Sequence, residues 1–169
     1  MTKEDKELLL KDLCARLPYG VIGKCELDAS YDTSFDTIFQ THKFDAVIYG
    51  LNEDLLLVTP LIENEDEQNF AEEEVADGVD ILDFTPYLFP LSSMTEEQKK
   101  YITDRWGINE DFNFEIDPNW GEYIVELGDT INFINWLNEN RFDINNLIPK
   151  GLAIDATGLN IYDKAKMNF

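Results

Sequence analysis

Basic residues are what this chain most conspicuously lacks: none occurs between Lys43 and Lys99, and the whole sequence of 169 residues holds 13 Lys and Arg against 35 Asp and Glu. The net charge is −22 at pH 7, with an isoelectric point near 4.1. Phosphate binding needs clustered Lys and Arg that release counterions, so nucleic acid is excluded as a direct partner. Anionic membrane surfaces are disfavoured for the same reason. No apolar run approaches the roughly 20 residues that cross a bilayer.

Histidine occurs once, at His42, and cysteine twice, at Cys14 and Cys25, 11 residues apart. That poverty argues against a zinc site. It also leaves a nucleophilic triad only His42 as base, beside no nucleophile signature. Cys14, on the apolar face of a helix, reads as a small core residue. The opening TKEDKE and the short LLL run do not resemble a signal peptide, so the expectation is a cytoplasmic protein with free thiols. Glycine-rich phosphate loops are missing too. Gly23-Lys24 is followed by Cys25, Pro18 stands where the first glycine belongs, and no G-x-G-x-x-G occurs. No cofactor and no catalytic residue is therefore expected.

Apolar material is ample. Hydrophobic residues make up 44% and aromatics 12%, enough to offset chain ordering in one core, so a single domain over 1–169 is expected. Thr2 with Asp5 suggests a capping box for a first helix carrying Leu9, Leu10, Leu13, Cys14 and Leu17, stopped by Pro18 and Gly20. Alternation from Val21 to Leu27 predicts a strand, and residues 28–36 a loop. Lys43–Tyr49 and Leu55–Thr59 predict a hairpin that Pro60 ends. Pro86 and Pro90 make Ile81–Leu91 extended. Ser93 with Glu96 predicts a second helix cap, and Gly107 that helix's end. Phe112 to Ile116 and Tyr123 to Leu127 read as strands around DPNWG. A third helix near Asp129 is expected to bury Thr130, Phe133, Ile134 and Leu137, and the tail to hold two extended pieces around Thr157-Gly158. Trp106, Trp120 and Trp136 are expected in the core. The fold class is α+β, with an antiparallel or mixed sheet and about three helices.

Two acidic patterns invite functional readings. Asp28, Ser30, Asp32, Ser34 and Asp36 alternate as a calcium loop begins, but Thr33 replaces the glycine and Phe39 the glutamate such a loop needs, so a polar turn is the simpler reading. The second is larger. Residues 44–140 hold 24 acids against three bases, a balance of −21. Within it Glu63, Glu65, Asp66, Glu67, Glu72, Glu73, Glu74, Asp77, Asp80 and Asp83 crowd into 21 positions. Local pairing cannot neutralise them, so they are the candidate contact residues for a basic protein partner. A solvated face that keeps the protein soluble is the plainer reading of the same run. A small enzyme or ligand-binding domain using two of the carboxylates in a cleft is the alternative.

Three segments carry a resemblance. LLLKDLCARLPYGV at 8–21, PYLFPLSSMTEEQK at 86–99 and INWLNENRFDINNLIPKGLAIDA at 134–156 resemble shared blocks of a family of small uncharacterised proteins from gut bacteria, their phages and mobile elements. The resemblance implies a phage or mobile-element origin and brings no activity with it. Taken with the charge, it suggests a nucleic-acid mimic that inhibits a basic host protein or defence complex.

Overall fold

Thr2 begins the first helix because two orphan backbone donors find partners there. Its hydroxyl accepts from the Asp5 amide, and its own amide donates to the Asp5 carboxylate. Those bonds from Thr2 hold the Asp5 carboxyl below its usual range. The helix, α1 (Lys3–Arg16), ends in a 3-10 turn at Leu17–Tyr19, and Gly20 leaves it in the left-handed region with φ 65°. A computed structural model describes the chain at residues 1–32, 37–52, 55–62, 68, 71, 75–108 and 127–165.

Beyond α1 come β1 (Ile22–Asp32), β2 (Thr37–Asn52) and β3 (Leu55–Pro60). They are followed by β4 (Val79–Asp80), β5 (Phe84–Leu88), α2 (Glu96–Trp106) and α3 (Leu127–Glu139). The chain finishes with β6 (Ile154–Asp155) and α4 (Ile161–Ala165). The strands form one sheet in the order β4-β3-β2-β1-β5-β6, antiparallel throughout except that β5 and β6 run parallel. The fold is thus α+β with a mixed sheet.

Alternation sorts the sheet's two faces. Val21, Cys25, Ala46, Ile48, Leu56, Val58, Phe84 and Leu88 pack with Leu9 and Leu13 of α1 and with Leu147 and Leu152. Among the described side chains, the opposite face is apolar at one end, where Ile22, Val47 and Tyr87 are covered by Ala156, Ile154, Ile161 and Tyr162. Farther along, the same face turns polar. Lys24 lies opposite Asp45, Glu26 opposite Lys43, and Asp28 opposite Thr41. A third cluster joins α2 to α3 through Ile102, Trp106, Leu137 and Phe142, with Trp136 and Phe133 packed against it.

Several expectations need correction. Residues 28–32 continue β1, paired as far as Asp32↔Thr37, so the polar alternation there is a strand's and not a loop's. Ser34 and Asp36 lie outside the described residues. The second cap is Thr95 with Gln98, because Ser93 belongs to the 3-10 turn Leu91–Ser93 while Thr95 has the extended backbone of a cap directly before the helix. Gly107 does end that helix, with φ 63°. The third helix packs Phe133, Trp136 and Leu137 inward and leaves Ile134 exposed. The tail's second piece is the helix α4 instead of an extended segment. Cys14 is exposed, while Cys25 is buried, and both are free. The strands expected around DPNWG, and Trp120, lie outside the described residues.

Candidate functional site

The acidic run is anchored where its few apolar residues allow. Ala71 and Val75 are buried, the Val75 amide donates to the Ala71 carbonyl, and Val79 enters the edge strand β4. The Gln68 side chain accepts from the Ile62 amide and donates to the Pro60 carbonyl, tying the run back to the end of β3. Glu63, Glu65, Asp66, Glu67, Glu72, Glu73 and Glu74 lie outside the described residues. Asp77, Asp80 and Asp83 are described, and they differ.

Asp77 is exposed. Asp80 accepts from the Leu82 amide, capping the 3-10 turn Ile81–Asp83, and it pairs with Lys6 of α1 at 3.6 Å. One carboxylate of the expected patch is therefore partly neutralised from the N-terminal helix. Asp83 is half-buried between β4 and β5. Desolvation, followed by the negative charges of Asp80 and Asp28, pushes its carboxyl above the usual range.

Asp28, which the sequence offered as the start of a calcium-like alternation, joins this group. The antiparallel pairing of β1 with β2 brings it opposite Thr41, whose hydroxyl donates to it at 2.7 Å. Its neighbour Glu26 receives the Lys43 ammonium at 2.9 Å and that of Lys24 at 3.4 Å, contacts that hold its carboxyl below the usual range. Glu26, Asp28, Thr41, Lys43, Asp83 and Thr85 line a polar cleft of about 490 Å³. Three carboxylates from two distant parts of the chain thus line one cleft with the Lys43 ammonium, and Lys24 reaches Glu26 as well. A cationic group fits that arrangement, and two carboxyls shifted in opposite directions are also what acid-base work requires.

Nucleophilic chemistry finds less support in the placement of its candidates. Cys25 is buried in β1, and desolvation, with Asp45 and Asp83 nearby, pushes its thiol up to about 12, so it is protonated at neutral pH. His42 lies in β2 opposite Leu27. Among the described residues no three His, Cys, Asp or Glu side chains gather as a metal site would require. Among the same residues no helix is long and apolar enough to cross a membrane.

The three segments singled out in the sequence meet at one joint. Arg16, fully buried, donates to Asp12 at 2.6 and 2.9 Å and to the Phe142 carbonyl at 2.8 Å, and Asn145 also donates to Asp12. Arg141 donates to the Tyr19 carbonyl, while the Phe89 backbone exchanges hydrogen bonds with Arg141 and Asp143. Asp143 in turn accepts from the Leu147 and Ile148 amides, closing the loop that packs beneath α1. The burial of Asp12 and Arg16 was not legible, because an Asp and an Arg four apart on a helix read as a solvated pair.

No protein family, no curated protein and no solved structure matches this chain.

Proposed function

We propose that the chain is a non-enzymatic protein-binding module whose acidic surface, centred on the β4 edge and the Ile81–Asp83 turn, docks on a basic partner. The supporting observation is the placing of Asp28 and Asp80 beside Asp83, whose carboxyl is raised first by burial and then by those two negative charges. Like charges held together at a surface oppose folding, and a complementary cationic partner removes that opposition. The seven further acids between Glu63 and Glu74 belong to the segment that joins β3 to this edge. Complementarity of this kind gives fast association and steep salt dependence. The finer reading is that the carboxylates stand in for nucleic-acid phosphates, so that the partner is a nucleic-acid-binding protein. The resemblance to small proteins of gut bacteria, phages and mobile elements suits an inhibitor of a host nuclease or defence complex.

The test is capture at low salt from a bacterial lysate, followed by identification of the partner and competition with duplex DNA. The proposal predicts a basic nucleic-acid-binding protein that DNA displaces and that the variant Glu72→Gln/Glu73→Gln/Glu74→Gln captures poorly. Equal capture by wild type and variant removes the proposal.

The polar cleft supports a second reading, a site for a small cationic ligand. It predicts that spermidine raises the unfolding midpoint of the wild type and of the triple Gln variant alike, but not of Asp83→Asn. No rise in the wild type removes it.

A further inference from the structure

A different cavity, of about 580 Å³, opens at the other end of the same sheet face, where the Leu17–Tyr19 turn, the start of β1 and the end of β2 approach α4. Its size is that of a small-molecule site, and Ile22 and Val47 give it an apolar floor. Tyr19, Tyr49 and Tyr162 supply aromatic walls, and Arg141 supplies the one cationic lining group.

Arg141 is held unusually for an arginine in so acidic a chain. No carboxylate of the described residues lies within ion-pair distance of it, although acids outnumber bases 35 to 13. Its Nη1 donates to the Glu139 carbonyl and its Nη2 to the Tyr19 carbonyl. Its Nε is enclosed without an acceptor, and its guanidinium lies 4.4 Å from the centre of the Tyr162 ring. Five N–H donors on a planar fork leave one hydrogen on each Nη for a further acceptor. The backbone at Arg141 has φ 61°, a left-handed conformation that a residue with a side chain adopts at a cost. Carbonyls and ring together fix the fork before any ligand arrives, so little freedom is lost on binding.

The opposite wall shows a second irregularity. The β2–β3 register shifts between Ile48 and Gly50, which leaves Tyr49 as the extra residue of a bulge. Such bulges re-aim a side chain, and Tyr49 stands 65% exposed at the cavity. Across from it, burial pushes the Tyr162 hydroxyl up to about 12 despite the favourable charge of Arg141, and it donates to the Tyr87 carbonyl at 2.6 Å. Tyr162 is thus a fixed neutral wall.

We propose that this cavity binds a small aromatic monocarboxylate, its ring between the tyrosines and its carboxylate on Arg141. One un-neutralised guanidinium matches one negative charge. A phosphate dianion would meet the same single cation inside a molecule of net charge −22, and the surrounding field opposes it. An uncharged aromatic would gain nothing from the charge of Arg141 and leave its free Nη hydrogens to water.

The experiment is a titration of the ¹⁵N-labelled chain with benzoate, benzamide and inorganic phosphate, each to about 10 mM, following the amides of Gly20, Val47 and Tyr49. Benzoate is expected to shift these amides saturably, and benzamide to bind about tenfold more weakly or not at all. Arg141→Gln is expected to abolish the preference for the acid. Because Arg141 also ties two carbonyls, a second variant is needed that leaves the fold alone. Tyr49→Asp and Tyr49→Asn remove the same aromatic wall at an exposed position and differ in the charge they put at the mouth, so the Asp variant is expected to bind benzoate at least about tenfold more weakly than the Asn variant. The proposal is overturned if benzoate shifts none of these amides, if benzamide binds as well as benzoate, if phosphate matches it, or if Tyr49→Asp binds benzoate as Tyr49→Asn does.

Discussion

Arg16 and Asp12 lie one turn apart on α1 and form a two-point ion pair, at 2.6 and 2.9 Å, with neither side chain exposed to water. A helix pair of this spacing is usually a surface feature of little energetic weight. Here the loop carrying Phe142 and Asn145 closes over it, and both residues contribute hydrogen bonds to it.

Removing one partner strands a buried charge. Arg16→Met is therefore expected to cost about 3–5 kcal/mol, measured by urea unfolding. The double variant Asp12→Leu/Arg16→Met is expected to cost much less than the two single changes combined, because it removes both charges at once. Strict additivity would mean that the two residues act separately.

Gly23 has no room for a side chain. A Cβ there would overlap the Phe84 ring, which lies across the Cys25↔Phe84 and Gly23↔Pro86 pairing of β1 with β5. Gly23→Ala is expected to lose about 1–3 kcal/mol of stability. Phe84→Leu in the Gly23→Ala background is expected to recover part of that loss, since it reopens the space.

Alkaline pH probes the core. Burial raises the Cys25 thiol from 9.0 to about 12, and burial likewise raises Tyr162 from 10.0 to about 12. Both groups ionise more readily in the unfolded chain than in the folded one. Their contribution to stability is whole below pH 9 and is lost as pH rises through 9 to 12. In the native protein at about pH 8, a thiol reagent is expected to label Cys14 alone, and Cys25 only after unfolding.

Asp83 follows the same rule at lower pH. Burial and the charges of Asp80 and Asp28 raise its carboxyl, so its contribution to stability is present while it is protonated and is lost as pH climbs through the raised value. Asp83→Asn is expected to raise the thermal midpoint at about pH 7 but not at about pH 3. Added salt at about 0.5 M is expected to stabilise the wild type more than this variant. If the same substitution also weakens partner capture, stability has been given up for binding at this residue.

Much of the fold was legible because its signals are local. Thr2 with Asp5, Gly20 and Gly107 mark helix ends by backbone chemistry alone, and the hairpin of β2 and β3 shows in its branched residues. The misreadings arise where solvent or distant partners decide. Residues 28–32 look like a loop because Asp28, Ser30 and Asp32 are polar residues common in turns, yet the backbone pairing with β2 continues to Asp32↔Thr37. Two capping patterns overlap around Met94, and the choice of Thr95 rests on Ser93 lying in the 3-10 turn Leu91–Ser93. The acidic run announced itself as charge, yet the convergence of Asp28 with Asp83 and the reach of Lys6 to Asp80 depend on strand order, which composition does not contain. Arg141 was the hardest to see. Its distinction is the absence of a carboxylate near it among the described residues, together with a backbone conformation that no sequence pattern marks.

The most direct measurement is the affinity of the captured basic partner for the wild-type chain and for the variant Asp77→Asn/Asp80→Asn/Asp83→Asn, from about 50 to about 200 mM salt. Asparagine keeps the cap that Asp80 provides, so the fold is retained while the charge is removed. Docking through this edge predicts wild-type affinity that falls steeply with salt, and a variant that is at least about tenfold weaker at low salt with a shallower dependence. Equal affinities and equal salt slopes would contradict it, because the partner would then be reading some other surface.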